Sequence, residues 1–123
     1  MATYETAPKG PYKLVTVNTA PERAQRLIGL VTKDLADQYT IIHAANCATK
    51  EEVDETIQKH EPDLLCCASM WTAEESEEIR RNAKIVRPQL KTYAIPQGLQ
   101  VKEGPQAIVE HLKKKLPELI ESN

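Results

Sequence analysis

The chain of 123 residues contains no phenylalanine, and its aromatic content is four tyrosines and one tryptophan. A core must therefore come from aliphatic side chains, which at this length suffice without staples. Glycine is equally scarce, at four residues, and none sits where a phosphate-cradling loop would need it. Only three cysteines are present, Cys47, Cys66 and Cys67, and two are adjacent. That pattern makes no disulfide framework and fits reduced thiols in a cytoplasmic protein. No apolar run approaches a membrane span, and the start of the chain lacks the apolar stretch of a secretory signal. Excess positive charge is missing too: the formal net charge is −2, so no basic face for nucleic acid is expected. The one basic run, Lys113 to Lys115, lies beside Glu110 and Glu118 and reads as a solvated helix face.

What is present is an alternation. Tyr12 to Val17, Tyr39 to Ala45, Asp63 to Ala68 and Lys91 to Ile95 are mostly apolar and read as strands covered on both faces. Between them the apolar period becomes helical. Ala24, Leu27, Ile28, Val31 and Leu35 form one stripe; Val53 and Ile57 a second; Ile79, Ala83 and Val86 a third; Ile108, Leu112, Leu116 and Leu119 a fourth. Such a succession defines βαβ units in a three-layer αβα sandwich. Right-handed crossovers with short connections predict four parallel strands in the order 2-1-3-4, a flavodoxin-like arrangement, with room for a fifth strand at Leu99 to Val101. Residues 1–11, polar and carrying Pro8, Gly10 and Pro11, are expected to form a flexible tail before one domain over residues 12–121.

Three helix starts carry Thr-x-x-Glu: Thr19 to Glu22, Thr49 to Glu52 and Thr72 to Glu75. Each predicts a capping box, in which the hydroxyl accepts the third helical amide and the carboxylate accepts the cap's own amide. Gly104-Pro105 predicts a fourth start. Arg87-Pro88 predicts a stop, and Pro117 a kink or break in the last helix.

In an open parallel sheet a ligand binds beyond the carboxyl ends of the strands, where the strand order reverses. That rim is predicted to hold Asn18 and Thr19 after strand one, Asn46 and Cys47 after strand two, Ser69, Met70, Trp71 and Thr72 after strand three, and Gln97 and Gly98 after strand four. Trp71 there either stacks on a ligand or lids the core. Cys47 stands near a helix start, which favours a thiolate, while a small buried residue is its other reading. His43 falls inside a strand and reads as a hydrogen-bonded structural histidine. His43, His60 and His111 lack metal-ligand spacing. Glutamates in the first turns, Glu22, Glu51, Glu52, Glu74 and Glu75, should repel phosphate from the helix N-termini.

From Tyr39 through Thr72, the stretch YTIIHAANCATKEEVDETIQKHEPDLLCCASMWT resembles a cobalamin-binding domain of the mutase and methyltransferase kind. The likeness lies in the order strand, short loop, acidic capped helix, Pro-Asp, strand, and a close on small residues and a threonine. It implies Ser69 and Thr72 as contacts to the cofactor's nucleotide tail. The family's Asp-x-His-x-x-Gly loop is replaced by Asn18-Thr19-Ala20-Pro21-Glu22-Arg23, so the resemblance implies a histidine-off mode. The chain is also similar to response-regulator receiver domains in length and in the Pro-Asp before strand three. Asn18-Thr19 and Ala68-Ser69 occupy the places of that family's acidic pair and phosphoacceptor. Sugar-transport phosphocarrier domains fit the length but need a cysteine after strand one.

Each catalytic set thus lacks its central residue. The sequence points to a non-catalytic binding or regulatory module, taking a small molecule or a protein partner. A cobalamin or related small-cofactor domain and a small enzyme using the carboxyl rim are the alternatives.

Overall fold

The computed structural model of the chain describes residues 7–122. It is a four-stranded parallel sheet in the order β2-β1-β3-β4. The strands are β1 (Lys9–Val17), β2 (Tyr39–Cys47), β3 (Leu64–Cys67) and β4 (Lys91–Ala94). The helices are α1 (Pro21–Asp34), α2 (Val53–His60), α3 (Ala73–Val86), α4 (Leu99–Glu103) and α5 (Pro105–Glu121). Two cores flank the sheet. One packs Leu27, Ile28 and Val31 of α1 and Ile108, Leu112 and Leu116 of α5 onto Leu14, Leu64 and Cys66. The other packs Val53 and Ile57 of α2 and Ile79 and Ala83 of α3 onto Val15, Val17, Leu65 and Cys67. Alternation along β1 and β3 feeds both cores, the period-two consequence of a sheet covered on each face. The architecture is the expected three-layer, flavodoxin-like one.

The adjacent cysteines follow the same rule: Cys66 enters the first core and Cys67 the second. Cys47 and Cys67 both pair with Val17, from opposite sides. Two strand spacings, about 9–10 Å, separate them, beyond the reach of a disulfide. All three cysteines are free and buried.

Several local expectations are corrected. The segment Leu99 to Val101 is no strand but the start of α4; Gly98, at φ +82°, begins the turn, and its carbonyl accepts the Lys102 amide at 2.9 Å. A single β-branched residue, Val101, 94% exposed, offers nothing for a sheet to bury. Pro117 does not end α5, which continues to Glu121. The buried stripe Leu112, Leu116 and Ile120 spans the proline, and its packing outweighs one missing backbone bond. β1 begins at Lys9, three residues early, its first amide donating to the Gln38 carbonyl at 3.0 Å. The first six residues of the expected tail lie outside the described ones.

The end of the sheet opposite the carboxyl rim is closed by polar ties. Glu121 accepts from Lys9 Nζ and from the Tyr39 hydroxyl, both at 2.8 Å. Lys91 Nζ donates to the Ile120 and Ser122 carbonyls at 2.7 and 2.6 Å, capping α5 from a neighbouring strand.

Candidate functional site

The carboxyl rim forms where β1 and β3 diverge. The chain leaves β1 for α1 on one face and leaves β3 for α3 on the other. This is the topological switch point, and the sequence-predicted residues all lie around it. Their side chains have two different fates.

One group is tied into the fold. Asn18 is buried, and its Oδ1 accepts the Ala20 amide at 2.7 Å, fixing the turn into α1. Pro21 takes the first helical position, so Ala20 is the cap and Glu22 falls one residue short of a box partner. The expected box at Thr19 therefore does not form, and Thr19 is left exposed. At Thr49, the Glu52 carboxylate accepts from the threonine's amide and hydroxyl, both at 2.9 Å. At Thr72 the box is complete: the Glu75 amide donates to Thr72 Oγ1 at 3.0 Å, and the Thr72 amide donates to Glu75 at 2.9 Å. That backbone bond is the main cause holding the Glu75 carboxyl below its usual range.

Trp71 is half-buried against the α2/α3 core. Its indole N–H donates to the Val17 carbonyl at 2.9 Å, and the same carbonyl accepts the Ala68 amide at 3.0 Å. The last carbonyl of β1 is thereby saturated, and the tryptophan lids the core. Ser69 is buried, and its carbonyl accepts the Gly98 amide at 2.9 Å, holding the loops after β3 and β4 together. Cys47 is fully buried, and burial pushes its thiol up, partly opposed by a hydrogen bond from Thr56. Burial likewise pushes Cys67 up to about 12. The thiolate form that nucleophilic chemistry requires is disfavoured at each.

A polar chain runs beside this rim. Thr16 Oγ1 donates to Asn46 Oδ1 at 2.7 Å, and Asn46 Nδ2 donates to the Asn18 carbonyl at 3.0 Å. The Thr16 hydroxyl also lies 2.8 Å from Nε2 of His43. Burial lowers its pKa, and the Ala45 carbonyl works the other way. A register shift between Leu14 and Val15 places a bulge in β2 at Ala44, which turns His43 and Asn46 to the same face. His43 is the structural histidine expected; Thr16 was not anticipated. The signal for it is a polar residue facing others from within an apolar strand, readable only once the register is known.

The second group remains open. Thr19, Met70 and Gln97 are exposed, beside the partly buried Trp71. These groups are neutral, and two are apolar. Behind them, between α1 and α5, a crevice of about 20 Å³ is lined by Thr16, Asn18, Ala68, Ile95, Ile108 and Leu112. It holds about one water, where small-molecule pockets run to roughly 300–1,000 Å³. A wider, open groove of about 260 Å³ lies between the start of α2 and α3, crossed by a 3.6 Å Lys50–Glu78 ion pair.

Among the described residues no three His, Cys, Asp or Glu side chains converge as a metal site requires. No described helix is long and apolar enough to cross a membrane. Compared with models of known protein families and with curated proteins, the chain matches none.

Proposed function

We propose that this chain is a non-catalytic binding or regulatory module that recognises its partner at the carboxyl rim. The carrying observation is the division of the rim. Its polar and nucleophilic candidates, His43, Cys47, Asn18 and Asn46, are held by bonds or burial within the fold, while Met70 and Gln97 are exposed beside the partly buried Trp71. Catalysis needs convergent groups free to exchange protons or bonds with a substrate. Recognition needs a rigid aromatic anchor with an accessible apolar and polar surround. Trp71, fixed by its N–H and flanked by Met70, meets the second description.

A cobalamin site fits these residues poorly. Ser69, which the likeness would put against the nucleotide tail, is buried, and the adjoining crevice is filled by Ile95, Ile108 and Leu112 to about 20 Å³. No histidine stands in the loop after β1. Three buried free thiols suit a reducing compartment, so a cytoplasmic setting is part of the proposal.

Native mass spectrometry of the protein purified from its source tests this reading. We expect a bound species at defined stoichiometry, weakened by Trp71→Ala or Met70→Ala in a chain that remains folded. A species retained equally by both variants would place recognition elsewhere.

A further inference from the structure

β2 is a nine-residue strand at the edge of the sheet, and among the described residues it pairs only with β1. Exposed strand edges invite pairing with another chain, and proteins usually blunt them with charges, prolines or short length. The far edge follows that practice: β4 has four residues and begins with Lys91. β2 does not. From Tyr39 to Cys47 it contains no Asp, Glu, Lys, Arg or Pro, and Thr40 and Ile42 on its α2/α3 side are exposed, Ile42 by 46%.

We propose that a second copy of this chain pairs with the free edge of β2, antiparallel, about a two-fold axis between His43 and Ala44. The bulge makes that axis workable. In an unbroken strand, residues an odd number apart point to opposite faces, so a two-fold between residues would set unlike faces against each other. Here Ile42 pairs with Lys13 and Ala45 with Val15, and those β1 residues share a face. The shift therefore brings Ile42 and Ala45 to the same side, and the axis sets Ile42 of one copy opposite Ala45 of the other. It also brings the turn holding Asp37, exposed just before the strand, toward the end of the partner strand that leads to Lys50, once at each end. Lys50 is tied only loosely, to Glu78 at 3.6 Å.

Charge selects a second copy over an unrelated strand. An isologous antiparallel pair places a strand's own charges near each other. A strand without any avoids that repulsion, while the flanking Asp37 and Lys50 attract. The result is one continuous sheet of eight strands whose remaining edges are the short β4 strands.

Sedimentation equilibrium of the full chain at low salt tests this. We expect a dimer, with Ile42→Lys converting it to a monomer of unchanged far-ultraviolet circular dichroism. Asp37→Lys should weaken the dimer by about tenfold, the scale of two surface ion pairs lost. Asp37→Lys combined with Lys50→Asp should restore it. A wild type that stays monomeric, a dimer that survives Ile42→Lys, or a charge exchange that fails to restore association would each overturn the proposal.

Discussion

Thr72 and Thr19 head the same four-residue pattern, but only Thr72 accepts its partner's amide. The difference is Pro21, which claims the first helical position and moves the cap to Ala20. Thr72→Ala should lower stability by about 0.5–2 kcal/mol, while Thr19→Ala should leave the urea midpoint nearly unchanged. Equal losses in both would contradict the caps described. Two histidines contribute to the response to acid near neutrality. Burial lowers the pKa of His43. His111 is lowered by burial first and then by Lys115 and Lys114, against the pull of Glu118; its Nε2 lies 2.6 Å from the Tyr93 hydroxyl. Both groups bind protons less readily folded than unfolded, where the pKa is about 6.5. Their contribution is undiminished above that pH and is lost as pH falls below it toward the folded values. Urea midpoints should therefore decline from about pH 7.5 to about pH 5, and His111→Gln should flatten the decline. An unaltered slope would assign the acid response to other groups. The three buried thiols were foreseeable from their apolar setting. The His43–Thr16–Asn46 chain was not, because a bulge sets its geometry.

Among the elements, β1 and α1 offer an informative glycine pair. Gly10 lies at φ +120°, and a Cβ there would stand 2.6 Å from the Thr40 carbonyl oxygen of β2. Gly10→Ala should cost about 1–3 kcal/mol, because backbone on the facing strand must move. Gly29, in the middle of α1, meets nothing within 4 Å, and Gly29→Ala should stabilise by about 0.4–1 kcal/mol through a stiffer helix and unfolded chain. Thermal midpoints moving in opposite directions would support both environments; a shared direction would contradict one of them. The elements themselves were largely legible. Aliphatic stripes located four helices within a turn, and apolar runs located four strands, because both signals come from burial that the final structure retains. The strand expected at Leu99 and the break expected at Pro117 fail for one cause. Local propensity carries no information on the tertiary contacts, which leave Val101 uncovered and keep Leu116 and Ile120 buried around the proline.

Across the whole molecule, strand order followed from connection handedness and length, and with it the place of the rim. What the rim's residues do could not be read from their types. Asn18, Asn46 and Cys47 look like ligands in sequence, yet the fold engages each of them internally, and only the three-dimensional bonds distinguish such groups from Met70 and Gln97. Recognition is proposed to occur at this rim, on the exposed remainder. Hydrogen–deuterium exchange, comparing the protein in buffer with the protein in clarified extract of its source cells, tests it most directly. Added protection is expected in the three loops holding Asn18 to Ala20, Ser69 to Thr72 and Pro96 to Gly98, with the outer faces of α2 and α3 unchanged. Added protection confined to those helical faces, with the three loops exchanging as in buffer, would contradict it.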